Sequence, residues 1–240
     1  SVALEASKRL SEGNWDNLPI TDEARAVLDD YHTSILDAGV MPSPNCLSIE
    51  QHERLFIVNY PGGSRLNRTI GMIITAMLSA KSGYKVGYQF DPYRIILDAP
   101  TRTTVKDMLA IMKGFESGIA GLLRFSLRDS SALKSQLLHA ARKMGAIGPE
   151  ADVSRFGMRR LIEAYSDTPL YTEAVERFLF HQLDEEGMEE FIESINSGQV
   201  SVVLSSKTPH GYAGLDPYRD YQVSNRIGNI INSEISSKRL

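Results

Sequence analysis

The spacing of apolar residues turns almost wholly helical from residue 104, and that change limits the possible folds more than any motif does. Between residues 47 and 98 the sequence reads as short strands around one helix. Leu47 to Ile49 is a brief strand-like run. Leu55 to Tyr60 is β-branched and aromatic and stops at Pro61-Gly62-Gly63. Ile70 to Ala80 has long helical character and ends at Gly83. Tyr84 to Phe90 alternates, Asp91-Pro92 turns, and Tyr93 to Leu97 returns, which predicts a hairpin. The order is ββαββ, an α+β unit. From 104 onward the spacing is helical. Val105, Met108, Leu109 and Met112 make one stripe, and Leu133, Leu137, Leu138 and Met144 another. Met188, Phe191, Ile192 and Ile195 make a further one. These three stripes are expected to be buried.

The predicted fold class is therefore α+β, a small ββαββ-type unit followed by a mainly α-helical region. Residues 1–20 read as an N-terminal linker or helix and 21–103 as the α+β unit. Within 21–103, Thr21 N-caps a helix whose Ala24, Val27, Leu28, Tyr31 and Ile35 keep helical spacing. Residues 104–204 read as the helical unit, closing on a strand at Val200–Leu204. Residues 205–240, rich in Ser, Asn, Gly and Pro, read as a loosely ordered tail. The chain begins without Met in what reads as mid-helix or linker, as expected of part of a longer protein.

Charge is segregated. Lys and Arg stand 3 against 10 Asp and Glu in residues 1–53, 12 against 5 in 54–134, and 4 against 12 in 150–200. A local positive field can hold a polyanion even where the net charge is −4. An unevenly charged, well-solvated surface is the other reading of the same counts.

Several chemistries are excluded or unsupported. One cysteine, Cys46, leaves no disulfide framework and suits a reducing, intracellular compartment, with the cytoplasm expected. There is no four-ligand Cys/His cluster for structural zinc. The five histidines are scattered, and surface or satisfied core roles are expected for them. The acidic run from Asp184 to Glu193 diverges around a helix and reads as a solvated face. Ile70 to Ala80 is too short to span a bilayer, and no membrane partner is expected. No nucleophile–base pair and no Walker A loop is present, so no catalytic residue, bound cofactor or metal is expected in the chain itself.

The segment 61–68, PGGSRLNR, is the most pointed local signal. A strand ends, glycines turn the backbone and a helix starts, with Arg65 and Arg68 in its first turns. Backbone N–H groups at a helix start favour an anion. A plain strand–turn–helix with two surface arginines fits equally. Tyr84, Tyr88 and Tyr93 interleave with Lys81, Lys85 and Arg94, the aromatic–basic mixture that holds single strands. Alternation in a half-buried hairpin explains the same tyrosines. Trp15 is either an anchor for the linker or an exposed stacking platform.

The stretch VNYPGGSRLNRTIGMIITAML resembles the "H-S-P-F-G-x-R-V-N/H-x-x-x-A-L-A-L" stretch of the helicase-associated (DEAD/H-associated) region in Lhr-type, large helicase-related, superfamily 2 helicases. LRFSLRDSSALKSQLL resembles that family's "F-R-x-x-A-x-x-x-L-L-L" helix. DTPLYTEAVERFLFHQLDEEGMEEFIESINSGQVSV is similar to its "F-P-x-x-x-E-T…L-x-D…D-x-x-G-L…L-x-x-I-x-x-G-x-I-x-V". The series runs in order over about residues 20–215, and its divergence suits an archaeal member. Gly63, Arg65, Asn67, Arg128 and Glu173 match motif positions. Tyr60 and Gly62 replace the usual Ser and Phe around Pro61, and Glu176 falls where Arg is common. The resemblance implies an accessory C-terminal portion of an ATP-dependent DNA or RNA helicase, itself non-catalytic. Its implied partners are single-stranded or partly duplex DNA or RNA and the RecA-like motor and winged-helix domains of the same protein. ATP and Mg would belong to those motor domains. The strand-binding residues expected are Gly63, Arg65, Asn67, Arg68, Lys81, Lys85 and Arg128. The alternatives are a platform that docks the motor domains or another protein, and a stand-alone enzyme for which no catalytic carboxylate can be assigned.

Overall fold

The computed structural model describes residues 2–40, 43–52, 54–115, 119–127, 131–148, 155–206 and 208–214. The chain divides into two compact units. One comprises Ser1–Ser117 with Glu186–Leu240, and the other Gly118–Glu185. The boundary expected at residue 104 lies instead at 117, and the chain re-enters the first unit at 186.

The first unit opens with helices α1 (Val2–Glu12) and α2 (Asp22–Asp37). Thr21 caps α2 as expected, its hydroxyl accepting from Ala24 N at 3.2 Å. The predicted apolar stripe of α2 is buried only at Ile35, and Val27 is 67% exposed. Trp15 is buried and donates Nε1–H to Asp29 Oδ1 at 2.6 Å. It is the anchor between α1 and α2, and not an exposed platform.

The ββαββ order is present as β1 (Cys46–His52), β2 (Leu55–Asn59), α3 (Ser64–Ser82), β3 (Gly87–Asp91) and β4 (Arg94–Asp98). The predicted terminal strand, β5 (Ser201–Leu204), adds parallel to β1 and completes a five-stranded sheet in the order β3-β4-β2-β1-β5. All other pairings are antiparallel. The central strands β2 and β4 are buried at every position, as strands covered on both faces must be.

The two faces differ in chemistry. Alternation and register put Ile49, Phe56, Val58, Ile95 and Leu97 on one face, with α3 packed over β3 and β4. Helix α4 (Val105–Lys113) lies beside α3 and buries Met108 and Met112. Helix α9 (Glu185–Asn196) places Phe191 against Tyr60 and Phe115 at ring separations of 4.9 and 6.4 Å. The other face carries Ser48, Glu50, His52, Asn59, Arg94 and Asp98, all buried.

That polar face is closed by the short helix α10 (Pro209–Gly214) and the residue before it. The Glu50 carboxylate, fully buried, accepts from Asn59 Nδ2 at 2.7 Å, Thr208 N at 3.0 Å and the Thr208 hydroxyl. His52 Nε2 lies 3.0 Å from it. Arg94 pairs with Asp91 at 3.1 Å and donates to the carbonyl of His210. His210 Nδ1 meets the Tyr31 hydroxyl of α2 at 2.9 Å. Residues 208–214, expected in a loose tail, are held because a buried carboxylate and guanidinium need these partners. Residues 215–240 lie outside the described residues.

The second unit contains α5 (Ile119–Leu127), α6 (Ser131–Lys143), α7 (Arg155–Tyr165) and α8 (Pro169–Gln182). Leu133, Leu137 and Ala141 of α6 face Leu170, Ala174 and Phe178 of α8 in its core. Met144 does not complete that stripe. It lies beyond the end of α6 and is 68% exposed. Glu186, Glu189, Glu190 and Glu193 of α9 are exposed, the solvated face expected of the acidic run. Among the described residues no helix is long and apolar enough to cross a membrane.

Replacing Glu50 by Ala removes the buried acceptor of Thr208, the partner of His52 Nε2 and one of the two acceptors of Asn59 Nδ2. The expected loss in urea unfolding is about 3 kcal/mol or more. Gly211→Ala should destabilise too, because a Cβ there would overlap the buried Glu50 carboxylate.

Candidate nucleic-acid interface

The turn after β2 is tied to the β3–β4 turn before α3 begins. Tyr60 N donates to Tyr93 O, and Gly63 N to Pro92 O, both at 2.9 Å. Asp91 holds the facing turn by accepting from Tyr93 N at 2.6 Å and Arg94 N at 3.0 Å. Gly63 has φ +84°, the left-handed region that favours glycine, and at Gly62 a Cβ would stand 2.7 Å from Asn67 Oδ1. The two glycines thus set the backbone from which α3 starts.

Asn67 is the brace of this turn. Its side chain is fully buried and donates to Tyr60 O and Asp91 O, each at 2.9 Å, and its N–H reaches Gly63 O at 3.0 Å. The sequence places it among strand-contacting residues. With no exposed surface, it acts instead by holding Gly63 and Arg65 in place.

No side chain caps the N-terminus of α3. The leading N–H groups therefore point out of the helix beside exposed Arg65. Arg68, one turn on and half-buried, lies over the Phe90 ring at 5.4 Å. Tyr88 stacks on Phe90, with centroids 6.1 Å apart and planes at 28°. Burial pushes the Tyr88 phenol above its ordinary pKa, against the pull of Arg68. Phe90 is absent from the residues expected at this site. The signal for it is alternation in β3, which puts residues 88 and 90 on one face next to an arginine of α3.

Lys81 and Lys85 are at the other end of this helix. Sixteen residues at about 1.5 Å each separate Arg65 from Lys81, about 24 Å. Lys81 Nζ lies 2.5 Å from Asp107, which also closes the capping box with Thr104 at the start of α4. Hydrogen bonds from Lys81 and then from Thr104 hold the Asp107 carboxyl well below the usual range. Arg128 lies outside the described residues. Glu173 is exposed on α8, in the second unit.

The positive block is partly neutralised within the chain. Arg54 pairs with Asp98 at 3.2 Å, Arg94 with Asp91, Lys81 with Asp107, and Arg124 with Glu176 at 2.8 Å. Arg65, Lys85, Arg102, Lys106 and Lys113 remain exposed. Among the described residues no group of His, Cys, Asp and Glu could hold a metal ion.

A family model described as DEAD/H associated matches residues 41–210. Among solved structures, that of the Mycobacterium smegmatis helicase Lhr bound to ssDNA and AMP-PNP superposes with a TM-score of 0.75 at 16% identity. The match covers 90% of this chain and 31% of that one. At this identity the likeness is one of fold, and the chain spans less than a third of that helicase. No curated protein matches the sequence.

Asn67→Ala should leave two buried carbonyls without donors and lower stability by about 2 kcal/mol. Arg65→Ala should change it by no more than about 0.5 kcal/mol. Thermal unfolding of both variants, followed by circular dichroism, checks the contrast.

Proposed function

Because the chain belongs to the DEAD/H associated family, we propose that it is the accessory portion of an Lhr-type ATP-dependent helicase and that it grips the nucleic-acid strand and sets its position for a RecA-like motor. The observation that carries this reading is the braced start of α3. Two tied turns and a buried Asn67 fix an uncapped helix N-terminus, with Arg65 exposed beside it and Arg68 one turn along. Preorganised N–H groups and guanidinium forks suit phosphate oxygens. Phosphate contacts fix register and carry no sequence information, which suits a device that must let any sequence pass. The helicase of like fold was solved with ssDNA bound, which supports a strand as the ligand. ATP and its metal belong in this reading to the motor domains.

A docking role is supported by α2, whose Val27 and Leu36 are 67% and 53% exposed along an acidic helix. In the same protein α2 would meet the motor or winged-helix domains while the α3 end holds the strand.

The test is fluorescence anisotropy of labelled oligo(dT) and of mixed-sequence strands with the purified chain. Arg65→Ala with Arg68→Ala should weaken all sequences alike. The slope of log K against log salt should fall by about 0.7 for each phosphate that the variant no longer neutralises. A folded double variant that binds every strand with unchanged affinity and slope would remove the α3 grip and put the docking role first.

A further inference from the structure

The far end of α3 is a second basic surface, and it carries an exposed aromatic ring. Gly87 pairs with Asp98, so the segment entering β3 and the segment leaving β4 lie at the same end of the sheet. Ala99 N donates to Arg54 O at 3.3 Å, which brings the β1–β2 turn there as well. The tie of Lys81 to Asp107 adds the start of α4. Arg54, Lys81, Lys85, Arg102 and Lys106 thus lie on segments at the same end of the sheet as Tyr84, which is 71% exposed. The two described carboxylates of this region, Asp98 and Asp107, are already ion-paired to Arg54 and Lys81. Lys85, Arg102 and Lys106 stay exposed.

The loop that carries the ring is fixed by its backbone. Gly83 ends α3 in the left-handed conformation and donates to Ser79 O at 2.9 Å. Ser82 Oγ accepts from Tyr84 N at 3.2 Å, and Ser79 Oγ from Val86 N at 3.1 Å. A ring of this size left in solvent on an ordered loop loses little entropy when a planar group settles on it. Stacking tolerates any base, and surrounding lysines and arginines meet the backbone phosphates.

We infer that this end of the sheet is a second contact for a single strand, in which a base stacks on Tyr84 while Lys85, Arg102 and Lys106 hold the adjoining phosphates. The inference rests on the strand-binding reading above and locates a further site for it, about one helix length from Arg65.

The experiment measures binding of fluorescein-labelled oligo(dT) to the full chain and to three variants: Tyr84→Ala, Tyr84→Phe, and Lys85→Ala with Lys106→Ala. Tyr84→Ala should raise Kd about tenfold, within the range for removal of one stacked base. Tyr84→Phe should bind as the parent does, since the aromatic face is kept. The lysine pair should lower the salt slope by about 1.4. If Tyr84→Ala and the lysine pair both bind unchanged while Arg65→Ala with Arg68→Ala binds weakly, the second contact is overturned and the α3 grip stands. If Tyr84→Phe weakens binding as much as Tyr84→Ala, the stacking role is overturned. If the parent chain binds no strand at all, both the inference and the strand-binding reading fall.

Discussion

Four polar atoms converge on the carboxylate of Glu50 where no water reaches it, and the first unit closes around that convergence. The carboxylate sits on β1 and accepts from β2 through Asn59 and from the chain's later part through Thr208, with His52 of its own strand beside it. A buried carboxylate lacking such donors would be strongly unfavourable. The segment after β5 is therefore drawn over the polar face of the sheet, where Arg94 and Tyr31 take hold of His210. Leu55, Ile57 and Ile96 are buried on the same face, among these polar groups. The clasp spans 158 residues between Glu50 and Thr208 and, with the β1–β5 pairing, joins the early and late parts of the unit.

With that face closed, the opposite one is left to α3. The helix packs over β3 and β4, with Gly71 against Tyr88 and Ile95. At its start the turn is braced by Asn67, and at its finish the loop is fixed by Ser79 and Ser82. The two basic clusters thus lie near the two ends of α3, Arg65 and Arg68 on its first turns and Lys81 on its last. A strand that touched both would be held at two points whose spacing the helix sets.

Local features are legible in the sequence. Ile57 and Val58 mark a strand, and Pro61, Gly63 and Asp91-Pro92 mark strand ends and turns, through their own conformational preferences, so the ββαββ order can be read directly. Gly63 and Arg65 are recognisable because a strand, a glycine turn and a helix start leave their signature within eight residues. What cannot be read depends on distant partners. Nothing around Thr208 announces that it caps a carboxylate on β1, so residues 208–214 look like tail. Helices α4 and α9 have ordinary helical stripes, and periodicity does not say that they belong with the sheet. Asn67 enters the expected site because it matches a motif position of the resembled family, whereas its partners are two backbone carbonyls. The charge count misleads for a similar reason, since Arg54, Lys81 and Arg94 find carboxylates through strand pairing and helix packing.

The central claim is that the strand is held at the ends of α3. Its most direct test is photocrosslinking of the full chain to single strands carrying 5-iodouracil, followed by mass spectrometry of the crosslinked peptides. The account predicts crosslinks within residues 60–68 and 84–106. Crosslinks confined to residues 118–185, with none in either segment, would contradict it.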